Sequence, residues 1–346
     1  MRIVVVGFAV KGSRTRQRIK ALSGLGHDVH LIDTAPTGRT YETKPTLGRR
    51  IRHRVRRPVD ETGANHALLA ADDVDLIWIE NASMIRPATL QALRVRKHRP
   101  RIVWYSEDDM MRPLNGSVWL DRNWPLFDLC VTTKSFNAVP QELPSKGARR
   151  VLFVNNSFDP EVHRPAPADD ETRARFGADV SFVGTYEAPR AASMLHLAQN
   201  GIEVRIWGNG WRAMKGAHPL LRVEDRPVYD YDYARVTASS RINLGFLRKA
   251  NRDRQTTRSI ELPACGAFML HEYSDEMATL LTPGVHAAYF RDDAELLAAC
   301  RYWLSADQER CRVAQAGYAR VHAAGLRHHD MLDRAIAVAM TDDGNA

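Results

Sequence analysis

Short apolar segments of strand length alternate with longer amphipathic segments from one end of this 346-residue chain to the other. In the first half the apolar segments are RIVVVGFA, HDVHLIDT, VDLIWIEN, RIVWYSED, LCVTT and RRVLFVNN. Each is nearly continuously apolar, which is typical of strands that are covered on both faces. Because the segments between them carry helical spacing, the alternation predicts a parallel sheet with right-handed βα crossovers.

A second series of the same kind follows a proline-rich interval. Residues 161–176 show no periodic apolar pattern, and we interpret them as a linker. After them come VSFVGT, IEVRIWGN, RINLGF, GAFMLHE and AAYF, and then a mostly helical tail. We therefore predict an α/β fold with two Rossmann-like βαβ domains, residues 1–160 and 177–346, facing each other across a cleft. Open α/β sheets bind ligands at the carboxyl ends of their strands, so the cleft is the expected site.

The net charge of +8 makes a polyanion, an anionic membrane or a phosphorylated small molecule a plausible partner. Much of the excess positive charge lies in the segment RRIRHRVRR, Arg49 to Arg57. In this segment Arg50, Arg52 and Arg54 alternate with other residues. On an extended segment this period aligns the three arginines on one face, for contact with an anionic acceptor or membrane surface. A solvated basic loop is the alternative. Nucleic acid is a weaker partner, since no basic motif is interleaved with aromatic residues that would stack on bases.

Several classes of protein and site are disfavoured by what the sequence lacks. No apolar run approaches the roughly 18 residues of a membrane span, and the apolar N-terminus is too short for a signal peptide, so we expect a cytoplasmic protein. The four cysteines are scattered singly, which argues against a disulfide framework or a zinc site. The DYD segment, Asp230 to Asp232, precedes a helical stretch and is interpreted as a helix cap rather than a metal site. Gly7 and Gly12 lie in a strand-to-helix turn that lacks the full dinucleotide-binding pattern.

The segment TTRSIELPACGAFML holds the most informative charges. On a helix that begins near Thr257, Arg258 and Glu261 share one side. One interpretation is that the two residues form an exposed ion pair. Another is that Glu261 caps the start of the helix, through a capping box with the threonines. The small and apolar residues that follow indicate a buried junction, where we expect a charged pair to face a ligand. Gly184 and Thr185 end the first strand of the second half, just before a helix, and are candidates for phosphate binding.

These segments together resemble a known family. Two groups of segments resemble the spore-maturation-type (CgeB-like) glycosyltransferases: RSIELPACGAFMLHE, SFVGTYEAPR and INLGF in the second half, and WYSEDDM, FDLCVTT and FDPEVHRP in the first. The resemblance implies the GT-B fold, with the acceptor on the first domain and a nucleoside-diphosphate sugar on the second. It also implies hexosyl transfer in cell-surface glycan synthesis, with no tightly bound metal or cofactor.

The resemblance also implies roles for individual residues. Related retaining transferases carry two glutamates separated by seven residues; Glu261 falls on the second, which holds the ribose, and Asp253 falls on the first, where aspartate replaces glutamate. Arg258 would then face the diphosphate and assist its departure. The implied donor-binding residues are Gly184, Thr185, Arg248, Asn251, Thr257, Arg258 and Glu261.

Asp109 ends a strand of the first domain in SEDDM and is a candidate base toward the acceptor hydroxyl; a strand-end turn is the alternative. We expect a glycosyltransferase whose acceptor is a glycan, a lipid-linked molecule or a protein, with peripheral contact at the inner membrane face. A non-catalytic nucleotide-binding protein on the same fold is the alternative, because fold alone does not establish catalysis.

Overall fold

The computed structural model describes residues 1–341. Its strands are β1 (Arg2–Gly7), β2 (Asp28–Asp33), β3 (Leu76–Glu80), β4 (Arg101–Ser106), β5 (Leu129–Thr132), β6 (Val151–Phe153), β7 (Ala178–Val183), β8 (Val204–Trp207), β9 (Leu221–Val223), β10 (Ser240–Gly245), β11 (Met269–Glu272) and β12 (Ala288–Phe290). Its α-helices are α1 (Arg14–Gly24), α2 (Leu47–Arg54), α3 (Ala64–Ala70), α4 (Pro87–Arg94), α5 (Leu120–Asn123), α6 (Asp170–Phe176), α7 (Ala188–Gln199), α8 (Asp230–Ala238), α9 (Arg258–Ala264), α10 (Asp275–Leu280), α11 (Asp293–Ser305), α12 (Asp307–Ala323) and α13 (His328–Met340).

The first unit comprises Met1–Asn155 and the C-terminal segment from His328. Its six strands are all parallel, in the order β2-β1-β3-β4-β5-β6. Val4 and Val6 of β1 join the hydrophobic cluster on one face of the sheet, while Ile3 and Val5 join the cluster on the other. This double coverage explains the continuous apolar pattern of the central strands. β2 is different, since it is the edge strand and none of its residues is buried.

The second unit is Asn156–Arg327, with six parallel strands in the order β12-β11-β10-β7-β8-β9. All five strands that the sequence predicts for this half are present. The sequence did not reveal β9, because it is a three-residue edge strand and too short to show a hydrophobic period. Counted from β7, this is the strand order of the dinucleotide-binding Rossmann fold, so the prediction of two Rossmann-like βαβ units is confirmed.

The last helix corrects the predicted domain assignment. We expected residues 177–346 to form one domain, but α13 packs on the first unit, where Leu332, Ala335 and Ala339 join the cluster around β1. His328 Nε2 also lies 3.1 Å from the Gln17 side-chain oxygen of α1. The sequence shows that α13 has an apolar stripe, but the stripe does not specify which of two sheets it covers.

The proposed linker is also corrected. Residues 161–176 belong to the second unit, and their last seven residues form α6, which is capped by Asp169 through the backbone N–H of Thr172. Phe176, at the end of this helix, is fully buried in the hydrophobic cluster of the second unit. Phe176 and the Asp169 cap anchor this short helix, which has too few apolar residues to show a period.

Candidate functional site

In the sheet of the second unit, β8 and β9 lie on one side of β7, and β10, β11 and β12 lie on the other. The strand order therefore reverses between β7 and β10. Ligands of open α/β sheets bind at such a switch point, beyond the carboxyl ends of the strands. The chain segments at this edge are 184–187 after β7, 246–257 after β10, and Glu272 at the end of β11. These segments, with the start of α9, contain every donor-binding residue that the sequence predicts.

The turn after β7 does not cradle a phosphate through Gly184, which corrects one predicted role. The Gly184 N–H donates to the Trp207 carbonyl at 2.9 Å, and the Gly184 carbonyl accepts the indole N–H of Trp211 at 2.8 Å. A Cβ at this position would lie 2.6 Å from the Phe182 ring. Gly184 is therefore a close-packing position whose backbone groups are already in use. Thr185 is exposed and remains available at the sheet edge.

A carboxylate between two guanidinium groups lies beside this turn. Glu187 accepts hydrogen bonds from Arg190 Nη2 at 3.0 Å and from Arg248 Nε at 3.2 Å. Burial lowers the pKa of Arg190, with Glu187 opposing that effect. Arg248 was predicted as a donor-binding residue, whereas Arg190 and Glu187 were missed, because an Arg-Glu pair on a helix usually lies on a solvated surface.

The loop after β10 is organised by its own polar groups. Asp253 Oδ1 accepts the Asn251 side-chain amide at 2.8 Å, and Oδ2 accepts the Arg248 backbone N–H at 3.3 Å. Lys249 forms an ion pair with Glu272, which also accepts the Leu247 N–H at 2.8 Å. Asn251 is buried and its amide shapes the loop through Asp253; the direct donor contact expected for it stays a prediction.

α9 begins at Arg258, as expected, but not through a capping box. Thr257 precedes it in helical conformation, and its side chain makes no capping hydrogen bond. Arg258 Nε donates to the Val183 carbonyl at 3.1 Å, Nη1 pairs with Glu261 Oε2, and the guanidinium lies 4.5 Å from the centre of the Tyr233 ring. These contacts fix Arg258 between the end of β7 and the start of α9.

Glu261 is not part of an exposed ion pair, since its side chain is only 2% exposed. Besides Arg258, it faces His163, whose Nε2 lies 3.6 Å from Glu261 Oε1. His163 is itself buried, and its Nδ1 accepts the Asp159 N–H at 3.1 Å. The sequence pointed to FDPEVHRP only as part of the resemblance, and nothing in the spacing linked His163 to a residue 98 positions away (261 − 163).

The buried side chain of His271 is hydrogen-bonded to Ser259 in the first turn of α9. His271 Nδ1 lies 2.6 Å from the Glu272 carbonyl, which can only accept, so Nδ1 carries the proton. His271 Nε2 therefore accepts the Ser259 hydroxyl at 2.9 Å, while Ser259 Oγ accepts the Thr256 N–H at 2.9 Å. Burial lowers the pKa of His271, which is consistent with a neutral ring in this chain of hydrogen bonds.

The lowered pKa of His271 predicts a specific pH dependence of stability. The unfolded chain takes up a proton near the ordinary value of 6.5, whereas the folded ring resists it, so stability falls as the pH drops below that value. We expect His271→Gln to be less stable than the wild type at about pH 8, by roughly 1–2 kcal/mol for the altered hydrogen bonds. The difference in melting temperature should shrink toward about pH 5. A constant difference across this range would contradict the assignment of a neutral, buried His271.

The first unit carries a second charged cluster, which the sequence did not reveal. Arg18 and Glu80 are both buried and form a two-point ion pair, at 2.6 Å for Nε and 2.9 Å for Nη2. Arg18 Nη1 also reaches Glu107 Oε1 at 2.9 Å, and Arg14 Nε donates to Glu107 Oε2 at 2.8 Å. Although burial opposes ionisation, Arg14 and Arg18 hold the pKa of Glu107 well below its ordinary value.

Asp109 does not have the surroundings of a catalytic base, which corrects that prediction. It is 3% exposed, and its Oδ1 accepts the Met111 backbone N–H at 3.0 Å and the Asn137 side-chain amide at 3.1 Å. These are the contacts of a strand-end turn, the alternative that the sequence left open. The neighbouring Asp108 lines a cavity of about 390 Å³ at the same edge of the sheet.

The arginine run forms the helix α2, not an extended segment, so the predicted alignment of Arg50, Arg52 and Arg54 is wrong. Alternation over seven residues fits a strand, but the Thr46 side chain caps this segment by accepting the Arg49 N–H, and it folds as a helix. Arg52 lines the same cavity of about 390 Å³, together with Arg49, His53 and Arg56. Arg50 and Arg54 do not line it.

Two further features concern metals and membranes. Asp230 and Asp232 lie in the first turn of α8, but Tyr229 occupies the N-cap position and makes no side-chain capping hydrogen bond, so the predicted helix cap is wrong. Across residues 1–341, no group of three or more His, Cys, Asp or Glu side chains is arranged to hold a metal ion. None of the helices in this part of the chain combines the length and the apolar character that crossing a bilayer requires.

Comparison with known proteins places the chain among glycosyltransferase-like folds. Residues 190–337 match the profile of the family described as "Glycosyl transferase-like". Sucrose-phosphate synthase from Thermosynechococcus elongatus superposes with a TM-score of 0.69 at 12% identity, covering 98% of this chain and 96% of that one. The α,α-trehalose 6-phosphate synthase from Burkholderia multivorans superposes with a TM-score of 0.66 at 13% identity, covering 98% of each chain.

Another similar structure contains a nucleotide sugar. The Anabaena protein HepE in complex with UDP-glucose superposes with a TM-score of 0.64 at 12% identity, covering 97% of this chain and 99% of that one. A search of curated protein sequences gives no match. At these identities the structural likeness establishes the fold, and the GT-B fold expected from the sequence is confirmed.

Proposed function

We propose that this protein is a glycosyltransferase that moves a sugar from a nucleoside-diphosphate sugar to an acceptor. The observation that carries the proposal is the gathering of Arg190, Arg248 and Arg258 at the switch point of the second sheet. Guanidinium groups bind phosphate oxygens in a two-point geometry, which suits a diphosphate. The family match over residues 190–337 and the UDP-glucose in HepE support the same conclusion.

Arg258 is the residue to which we assign the leaving group. Its side chain is 30% exposed at the edge of the sheet, and the Val183 carbonyl and Glu261 fix the rest of it. A positive charge held in place before the reaction stabilises the diphosphate as it gains negative charge. Arg248, Thr185 and Thr257 complete the donor surface in this proposal.

Glu261 and Asp253 take different roles. A ribose contact by Glu261 requires a path to its carboxylate to open when the donor binds, because the carboxylate is buried in the present arrangement, while Arg258 stays paired with it. Asp253 accepts hydrogen bonds from Asn251 and Arg248 within its own loop. We propose that it positions Arg248 for the diphosphate and does not act on the reacting atoms.

The finer features of the proposal rest on the sequence. The resemblance implies membership of the CgeB-like branch, transfer of a hexosyl group without a tightly bound metal, and a role in cell-surface glycan synthesis. The hydropathy and the arginine run are the basis for proposing a cytoplasmic location, peripheral to the inner membrane face. The acceptor classes expected from the sequence are a glycan, a lipid-linked molecule or a protein. Kinetics in the presence and absence of a chelator test the metal independence directly.

A thermal-shift panel of nucleoside diphosphates and nucleotide sugars tests donor binding. At a ligand concentration of about 100 times Kd, stabilisation is about 2.7 kcal/mol, which corresponds to a rise in melting temperature of roughly 5–10 °C for a domain of this size. We expect one base to be preferred. Arg173→Ala, which removes an exposed arginine of α6, should respond like the wild type. Equal, salt-sensitive stabilisation by every polyanion would contradict the proposal.

Turnover separates an enzyme from a non-catalytic nucleotide-binding protein. The nucleotide sugar that binds best is incubated with the protein and candidate acceptors, and the released nucleoside diphosphate is measured. We expect release that depends on the acceptor and is lost in Arg258→Ala. Tight donor binding with no release for any acceptor class would contradict the enzymatic assignment.

A further inference from the structure

A cavity of about 390 Å³ lies at the carboxyl edge of the first unit's sheet. Phe8 follows β1, Asn81 follows β3 and Asp108 follows β4, and all three line it. The strand order β2-β1-β3 reverses direction at this point, so the cavity occupies the switch point of this sheet, as the donor-site residues do in the other. Its volume is within the range of small-molecule sites, about 300–1,000 Å³.

One face of the arginine helix points into this cavity. Arg49, Arg52, His53 and Arg56 line it, and their spacing of i, i+3, i+4 and i+7 is that of a single helical face continued past the end of α2. Arg50 and Arg54 are four residues apart on another face and do not line the cavity. The helix therefore has one basic face that lines the cavity and another that does not.

Two of the cavity-lining guanidinium groups have polar atoms that the protein does not satisfy. Arg49 Nη1 is buried without a hydrogen bond, and its nearest acidic oxygen, Glu61 Oε2, lies 3.7 Å away. Arg52 also lines the cavity; its side chain is exposed to solvent and makes no hydrogen bond or ion pair within residues 1–341. The buried, unpaired Nη1 of Arg49 indicates an absent partner such as a bound anion, which Arg52 is free to contact as well.

Of the acidic residues that line the cavity, Glu61 lies beyond hydrogen-bond distance of Arg49 Nη1, and Glu80 is engaged by other groups. Glu80 accepts hydrogen bonds from Arg18, from Thr15 at 2.6 Å and from the Trp78 indole at 2.9 Å. Arg56 behaves differently from its neighbours, since it donates to Asp121 and to the Pro113 carbonyl and so has a structural role. Arg49 and Arg52 remain as the groups available to an incoming anion.

A smaller cavity of about 210 Å³ adjoins the first and shares Phe8, Glu80 and Asn81 with it. Its walls include Arg14, Glu107 and Tyr41, whose ring lies 5.6 Å from that of Phe8. Charged groups held in a fixed geometry beside two aromatic faces suit a hydroxylated ring, which has both polar edges and an apolar face.

We propose that this double cavity binds a small hydroxylated acceptor through a phosphate or carboxylate group held by Arg49 and Arg52. The inference rests on the proposed function and names the substrate class of its acceptor side. A small molecule fits better than a membrane, because the unsatisfied guanidinium groups line a concave space. An anionic lipid surface would instead contact the outward residues Arg50 and Arg54.

Binding of simple probes to the full chain, without donor, tests the proposal. Glucose 6-phosphate, glucuronate and glucose are titrated by calorimetry against the wild type, Arg52→Ala and the matched control Arg50→Ala. Arg52→Ala is suitable because that side chain makes no contact that folding would lose. We expect one of the anionic probes to bind, Arg52→Ala to weaken it at least about tenfold, and Arg50→Ala to leave it unchanged. Glucose should bind more weakly and without dependence on Arg52.

The outcomes that overturn the proposal are distinct. Failure of both anionic probes to bind at millimolar concentration, or equal weakening by the two variants, would contradict an anion site in the cavity. Binding to phosphatidylserine vesicles that depends on Arg50 and not on Arg52 would assign the helix to a membrane surface instead. Nucleoside-diphosphate binding is measured on the same samples; its absence would contradict the proposed function while the probe titrations still decide the cavity.

Discussion

Arg258→Ala is expected to lower kcat of sugar transfer by about 10², the usual cost of removing one preorganised electrostatic group. The guanidinium is held by the Val183 carbonyl, by Glu261 and over the Tyr233 ring, so it does not have to reorganise as the diphosphate leaves. Because its interaction with the diphosphate strengthens in the transition state, kcat should fall more than the donor KM rises. Steady-state kinetics with varied donor measure both parameters.

The control for this variant is Arg173→Ala, since Arg173 and Asp170 form an ion pair at the same i, i+3 spacing but in an exposed position. Melting temperatures of both variants give the folded fraction. Arg258→Lys adds a second comparison, because lysine keeps the charge and loses the two-point geometry, and we expect intermediate turnover. Wild-type kcat in folded Arg258→Ala would show that Arg258 has no role at the leaving group.

The alternation of apolar and amphipathic segments was sufficient to predict the fold, because each central strand is buried on both faces and so carries its signal in consecutive residues. The exceptions are short elements fixed by single contacts. α6 depends on Phe176 and on the Asp169 cap, and β9 has only three residues. The sheet on which α13 packs was not predictable, since an amphipathic helix has the same pattern on either.

The candidate site was predicted only in part, because the sequence shows contacts between nearby residues and not contacts made by the tertiary fold. Arg258 and Glu261 are close in sequence and proved close in space, so their pairing was visible as a helical spacing. His163 meets Glu261 only through the tertiary fold, as Arg18 meets Glu80, and neither contact leaves a local pattern. The arginine run was misread because alternation in a short polar segment is compatible with a helix whose start is fixed by one cap, here Thr46.

Glu261→Ala is expected to be the most destabilising change at the site. The carboxylate is buried between Arg258 and His163, and removing one partner of a buried pair costs about 3–5 kcal/mol. We expect the lower end of this range, since Arg258 is partly exposed and regains water. Chemical denaturation, followed by circular dichroism, measures the change. A loss below about 1 kcal/mol, the value of a surface pair, would contradict a buried role.

Glu261→Gln separates this structural role from a contact with the ribose. Glutamine preserves the shape and still accepts a hydrogen bond from Arg258, so the fold should be retained. If Glu261 binds the ribose equally in the ground and transition states, the variant raises the donor KM and leaves kcat nearly unchanged. If it acts only by holding Arg258, kcat falls instead, and the effect disappears in the Arg258→Ala background.

The double-mutant cycle of Glu261→Gln and Arg258→Ala distinguishes these cases quantitatively. Residues in direct contact show interaction energies of about 0.5–3 kcal/mol, whereas independent effects add. We expect strong coupling in kcat and near-additivity in donor KM, because the buried pair fixes Arg258 while the ribose contact belongs to Glu261 alone. The same cycle on Asp170→Asn and Arg173→Ala, the exposed pair, should show little coupling in either parameter. Additive effects on kcat at residues 258 and 261 would contradict the positioning of Arg258 by Glu261.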